Sequence, residues 1–371
     1  MKKIANGIYC AVFIALLLLP FLFTNFRKDQ ISELDNTYLP EIDWDAEKPA
    51  RERIAELENY LNMRIGFREQ SLTWHQLLSY GLFHEMDHPL YMFGKDGYVF
   101  FNTDKYIDDY QHLNLDAEWA QGFADWMVQF RDISEARGAK FYYLLIPDKK
   151  TLYSEYFPAG YNQLGDISRT DQVLEALGKT DVNWLYAKDA MLAAKAEMPV
   201  ANVKYDAGHC NENGTFAFCR ALIDRIREDF PAVPPLEREA FAVETEHMEY
   251  LPDTHFPIDE DVPVYRLLEK SVRSDRTWLN RHLSFQENSD RTRYIDPEHP
   301  ELPKLLVLHD SYLKGKEKFF YGHFSEITFI HRDNLPGPHT LTQYLEVLRP
   351  DIVVFENPER SFPTGLFDPE Q

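Results

Sequence analysis

An α/β fold around a mostly parallel sheet is what this chain of 371 residues predicts. Three observations lead there. Short, strongly apolar runs (KFYYLLI, KLLVLH, EITFIH and DIVVFEN) lack the in-out alternation of a half-exposed sheet and read as strands buried on both faces. Segments with helical spacing stand between several of them, as crossovers in a parallel sheet require. The hydrophobic content, 44%, is enough for one large or two modest cores and excludes a disordered chain.

In chain order, Lys2 and Lys3 precede an uncharged run, residues 4–26, closed by Arg27 and Lys28. Its length is close to the roughly 20 residues that a membrane helix needs, and Pro20 is tolerable there. No small-x-small cleavage site follows, so residues 1–28 are expected to be an uncleaved N-terminal membrane anchor. The flanking positive charges are balanced, and the short N-terminal tail and long acidic remainder favour export of the remainder. Residues 29–49 form an acidic, proline-containing connector. The stretch ARERIAELENYLNMRIGFREQSLTWHQLLSYGLF follows as a membrane-proximal packing helix or stalk, completing a segment 29–90.

Residues 91–371 are expected to be the main domain. YMFGKDGYVFF reads as a hairpin and DAEWAQGFADWMVQFRDISEARG as an amphipathic helix ended by Gly138, feeding the strand KFYYLLIP. A second, weaker unit runs through DQVLEALGKT into VNWLY, and a helix over 212–229 follows VKYDAGHCN. Residues 231–300, with eight prolines and scattered charge, read as an irregular, partly β insertion. The rhythm then resumes with KLLVLHDS, EITFIHRD, the helix TLTQYLEVLR and DIVVFEN.

The net charge of −22 excludes a nucleic-acid partner, because such a surface repels phosphates. No glycine-rich phosphate loop appears, so no cofactor is expected. His323, His331, His339, Cys210 and Cys219 do not fall into zinc-ligand spacing, so no metal is expected, and the two cysteines read as buried free thiols. The 21 tyrosines and 26 phenylalanines read mostly as core.

Two segments could carry chemistry. The strand LLVLHDSYLKG runs straight into Asp310-Ser311, and a serine at such a turn, with a lysine-rich helix start after it, can be a nucleophile or merely a helix cap. In YDAGHCNENG, Asp206 and His209 can serve as orienting carboxylate and general base for that serine, or can bond to nearby backbone while Asn211 or Asn213 caps the helix.

Together these segments resemble the outer blocks of the SGNH (GDSL) hydrolase superfamily in swapped order. That order resembles the circularly permuted alginate O-acetyltransferase family of the AlgJ/AlgX kind, and ENYLNMRIGFRE, GKDGYVFF, LLIPDKKTLYSEYFP and PDIVVFENPER match its layout over most of residues 50–360. Two departures stand out: His309 replaces the usual glycine before Asp-Ser, and Asp-x-x-His followed by Cys210 replaces Asp-x-His followed by Trp.

The resemblance implies a flavodoxin-like SGNH fold and a triad in which Ser311 carries an acetyl group, His209 moves its proton and Asp206 orients the imidazole. The loop after DIVVFE would offer Asn357 and Arg360 as oxyanion or substrate-binding groups, although Asn357 also reads as a turn residue before Pro358. Lys149 and Lys150 match a family feature, and a solvated turn explains them equally well. The implied protein is a short, AlgJ-like O-acetyltransferase at the bacterial inner membrane, its catalytic domain in the periplasm. It would act on an exported polysaccharide with acetyl groups handed over by a membrane-bound O-acyltransferase and alongside other export components. An acetylesterase with the same triad and a non-catalytic accessory protein stay open as alternatives.

Overall fold

The computed structural model describes residues 2–362 except 33–36, 43–47, 84–85, 87, 89, 253–255, 286–288 and 336. The chain forms two compact units, Met1–Phe93 with Glu249–Asp259, and Gly94–Met248 with Glu260–Gln371.

The larger unit is built on a seven-stranded sheet. Its order is Trp184–Tyr186, Lys140–Ile146, Ile352–Pro358, Lys304–His309, Glu326–His331, Arg291–Ile295 and Arg273–Ser274. The first five strands are mutually parallel. The last two run antiparallel at one edge. The sheet is therefore mixed, and part of the stretch expected to be an irregular insertion belongs to it. Arg291–Ile295 is hard to foresee because RTRYI has no apolar run; its arginine and tyrosine side chains are placed by the edge it joins.

The apolar runs behave as buried strands should. Tyr142, Leu144, Ile146, Leu305, Val307, Ile352 and Val354 join the core on one face, and the alternate residues Phe141, Tyr143, Leu145, Leu306, Leu308, Val353 and Phe355 join the core on the other. This is the two-residue side-chain period of a strand, here apolar on both faces. The helix Glu212–Asp229 covers the first face through Phe218, Cys219, Leu222, Ile223 and Ile226. The helices Ala117–Glu135, Arg169–Leu177 and Pro338–Leu348 cover the second. Cys210 and Cys219 are free thiols, and burial pushes Cys210 up to about 12.

Parallel strands end together. Asp148, Arg360 and Ser311 each lie two residues beyond a strand, after Ile146, Pro358 and His309, on the same edge of the sheet. Open α/β sheets hold their sites at that carboxyl edge.

In the smaller unit, the expected single stalk is two helices, Ala50–Arg64 and Arg68–Phe83. The break falls at Gly66 and Phe67, the latter at φ 63°. Gly66 donates its N–H to Pro20 O at 2.9 Å. A Cβ at Gly66 would stand 2.5 Å from Phe23 Cβ, so only glycine permits this approach. The Arg64 guanidinium ties the same corner together, donating to the carbonyls of Asn25 and Leu39 at 3.1 and 3.2 Å.

The run expected to span a membrane forms the helix Lys2–Leu22, with Ile8, Phe13, Leu16 and Leu22 among its exposed apolar residues. Among the described residues, however, no helix is long and apolar enough to cross a membrane. The expected transmembrane anchor over 4–26 is thus not established by the structure.

Candidate active site

Ser311 follows Asp310 out of the strand Lys304–His309 and is exposed in a turn. No α-helix starts there; a 3-10 turn, Glu317–Phe320, comes later. Asp310 shapes the turn by accepting from the Tyr312 N–H at 2.8 Å and from Ser361 Oγ at 2.7 Å. Its own N–H donates to Glu356 at 2.9 Å. His309, directly before Asp310, is 1% exposed. Its ring packs against Phe329 and His331, and Nδ1 donates to Asp310 O at 2.7 Å. Burial holds the imidazole below its ordinary pKa.

His209 Nε2 lies 3.0 Å from Ser311 Oγ, across 102 residues of chain. His209 Nδ1 lies 2.8 Å from Asp206 Oδ2. Asp206 Oδ1 accepts from the N–H groups of Gly208 and His209 at 3.0 and 2.9 Å, a tight turn in which Asp206 takes φ 79°. Burial works against its ionisation, but His209 and these N–H donors outweigh it and hold the carboxyl well below the usual carboxylate range. Asn211 caps the helix that follows by accepting from the N–H of Asn213 and Gly214. In YDAGHCNENG, Asp206 thus bonds both to backbone and to the imidazole, and Asn211 is the cap.

The sequence does not reveal the support beneath this turn. Lys149 and Lys150 are not a solvated turn; they are 1% and 4% exposed. Lys149 Nζ donates to the carbonyls of Val99, Val203 and Asp206 at 2.9, 3.0 and 3.0 Å. Burial lowers its pKa to about 7. From above, Glu260 accepts the N–H groups of Val203, Lys204 and Tyr205 at 2.5, 2.8 and 2.5 Å. The loop that presents Asp206 is clamped by two side chains of opposite charge. The signal in the sequence is the charged run Asp148-Lys149-Lys150 that stands one proline beyond the apolar strand end at Ile146.

Arg360 and Asn357 part company. Arg360 Nη2 approaches His209 Nε2 at 2.6 Å, and Nη1 donates to Asp148 Oδ1 and Tyr312 Oη, both at 3.1 Å. Gly208 makes room for it, since a Cβ there would stand 2.7 Å from Arg360 Nη1 and 2.3 Å from the Phe101 ring. Tyr312 Oη also lies 2.7 Å from the Gly208 carbonyl oxygen, tying the serine turn to the histidine turn. Asn357, in contrast, is fully buried. Its Oδ1 accepts from Arg332 and its Nδ2 donates to Pro358 O at 2.9 Å. The expected oxyanion role of Asn357 is not supported: its amide is spent inside the strand end, while Arg360 is the member of that loop beside the serine and histidine.

Buried charge continues behind the site. Asp148 stays ionised, because Lys150 and Arg360 overcome the effect of burial. Lys150 donates to it at 2.8 Å. Burial raises Glu359, whose oxygens accept from the Asp148 N–H at 3.0 Å and from Thr170 Oγ1 at 3.3 Å. Burial and the neighbouring Asp310 raise Glu356 well above a normal carboxyl. The whole set can take a proton from Ser311 at His209 while keeping one fixed cation, Arg360, beside the reacting atoms.

Residues 92–254 match the family model ALGX, described as the SGNH hydrolase-like domain of acetyltransferase AlgX, a stretch that contains Asp206 and His209 and ends before Ser311. Among curated proteins, none matches the chain by sequence. Of solved structures, the O-acetyltransferase domain of Pseudomonas putida AlgJ superposes with a TM-score of 0.52 at 17% identity, over 76% of this chain and 97% of that one. Bacillus cereus PatB1 with a sulfonyl adduct superposes with a TM-score of 0.55 at 11% identity, over 73% of this chain and 95% of that one. At these identities the superpositions speak for a shared fold, and the stretch that matches the family model includes the turn that holds Asp206 and His209. Over residues 92–254 this chain is thus similar to the AlgX acetyltransferase family, and it shares the fold of the AlgJ and PatB1 structures.

Proposed function

We propose that the protein is an O-acetyltransferase that acetylates hydroxyls of an exported cell-surface polysaccharide through an acyl-enzyme on Ser311. The observation that carries this reading is the chain of contacts from Ser311 Oγ to His209 Nε2 at 3.0 Å and from His209 Nδ1 to Asp206 at 2.8 Å. Ser311 Oγ attacks the acetyl carbonyl as its proton passes to His209 Nε2, and the departing group of the donor leaves with that proton. An acceptor hydroxyl then attacks the acyl-enzyme, His209 takes its proton, and the C–O bond to Ser311 breaks as the proton returns to Oγ. Asp206 orients the imidazole and balances its transient charge. Arg360 stands ready to face the oxyanion in both half-reactions.

A membrane-bound O-acyltransferase would supply the acetyl group, and the protein would work at the inner membrane with its site in the periplasm. The exposed apolar residues of the helix Lys2–Leu22 support attachment to a membrane. Carbonate extraction tests this: the protein is expected in the membrane pellet, and recovery in the supernatant would remove that part of the proposal.

The activity is tested by supplying an activated acetyl ester with a polysaccharide acceptor and following the acetyl protons by NMR. Ester signals on the glycan that depend on Ser311 are expected. Free acetate alone, released by a Ser311-dependent reaction, would make the protein an esterase, and no turnover would leave a non-catalytic glycan-binding role.

A further inference from the structure

The two-stranded sheet of Phe241–Tyr250 and Pro257–Leu267 carries information about the acceptor. Beside Ser311 lies a cleft of about 340 Å³, and one of its walls is formed by Met248, Val262, Pro263 and Val264 from these strands. The charged residues lining the cleft are Asp206, Glu212 and Lys316, two carboxylates against one ammonium. That ammonium is committed: Lys316 donates to Glu212 at 2.9 Å, and Glu212 also accepts from Lys318 at 2.8 Å and from the Tyr265 N–H at 2.6 Å. The Arg360 guanidinium is likewise held by Asp148 and Tyr312.

Alternate residues of a strand share a face. Glu244 and Glu246 therefore lie on the same face as Met248, and Glu260 on the same face as Val262 and Val264. Across residues 241–248 and 260–267 there are four carboxylates, Glu244, Glu246, Glu260 and Asp261, against one arginine, Arg266. That arginine pairs with Glu244. Glu244, Glu246 and Asp261 are exposed. Glu260 is turned to the N–H groups of Val203, Lys204 and Tyr205, and Asp261 lies 3.0 Å from His247, so Glu246 is the exposed carboxylate of this wall with no ion pair among the described residues. A polyuronate strand laid along it would meet like charge within a Debye length of about 8 Å, and among the described lining residues no unpaired cation receives a carboxylate.

We propose that the acceptor entering this cleft is a glycan segment free of carboxylate, sulfate and phosphate groups, its apolar ring face against Met248 and Val264. This rests on the acetyltransferase reading above and narrows its substrate class. Carbohydrate rings stack on apolar surface through their C–H faces, and their neutral hydroxyls need no counter-charge.

The test uses the full chain as Ser311→Ala, so that binding is read without turnover. Neutral hexasaccharides of glucose, mannose and galactose are compared with the corresponding uronate hexamers by ligand-observed NMR titration at low and high salt. At least one neutral hexamer is expected to bind at least tenfold tighter than its uronate counterpart, with an affinity insensitive to salt, and added salt should strengthen the uronate. Glu246→Lys should reduce the ratio to about threefold or less, while Glu246→Gln should give an intermediate value. Uronates binding as well as neutral hexamers, no neutral hexamer binding, or a ratio unmoved by Glu246→Lys would each overturn the inference. Acetylation of Ser311 in the wild-type chain is measured separately. An adduct without neutral-glycan binding sinks the acceptor class alone, and glycan binding without an adduct sinks the acetyltransferase reading alone.

Discussion

Lys149→Met isolates the clamp under the Asp206 turn. The ammonium is 1% exposed, donates to three carbonyls, and has its pKa lowered by burial to about 7. In the unfolded chain a lysine titrates near 10.4, so between about pH 7 and 10.4 the unfolded state binds more protons than the folded state. Stability from this group consequently rises with pH across that window. Each full unit of pKa difference corresponds to about 1.36 kcal/mol, and integrating from pH 7 to pH 9, with the folded group half-titrated at the lower limit, gives about 2 kcal/mol. Urea denaturation of wild type and Lys149→Met at both pH values measures it, because other titrating groups cancel in the comparison. Wild type should gain about 2 kcal/mol on the variant between pH 7 and pH 9. A stability difference that does not change with pH would refute the reasoning. It would mean that three carbonyl acceptors keep the ammonium charged throughout.

Asp206→Asn should slow acylation by an activated ester by about 10³- to 10⁴-fold, the scale expected when an orienting carboxylate is neutralised, as read by stopped-flow release of the leaving group. Because Asp206 is held well below the usual carboxylate range, wild-type activity should show no loss from this group between pH 8 and pH 5; a pH–rate step that vanishes in Asp206→Asn would contradict that. Arg360→Ala should cut the acylation rate by about 10²-fold, the usual scale for one oxyanion donor, with the melting temperature tracked alongside to separate chemistry from folding. Asn357→Ala should lower stability by about 1–3 kcal/mol, since it removes a buried partner of Arg332, while leaving the acylation rate per folded molecule within about threefold of wild type. A large specific rate loss there would return Asn357 to the reacting centre.

Much of this architecture can be read in advance because it follows from local pattern. KFYYLLI and IVVFE read as buried on both faces because apolar or aromatic residues fill both alternate sets between Lys140 and Glu356 at the strand ends, and the helix Glu212–Asp229 ends where its pattern ends. Asp206, His209 and Ser311 are visible as residue types beside an element end, and the fold brings them within hydrogen-bond distance. What stays hidden depends on partners far along the chain. Lys149 and Lys150 look solvated because lysines usually are, and it is the carbonyls of Val99, Val203 and Asp206 and the carboxylate of Asp148 that make their burial tolerable. Asn357 looks free because its partner, Arg332, lies 25 residues away. The break at Gly66 depends on Phe23 crossing it. The strand Arg291–Ile295 depends on the edge of Glu326–His331.

The most direct measurement is intact-protein mass spectrometry after exposure to an activated acetyl ester, on wild type, Ser311→Ala and His209→Ala, with peptide mapping of the adduct. The account predicts a single acetyl group on Ser311 in the wild-type protein and none in either variant. Equal labelling of all three proteins, or labelling of none, would contradict it.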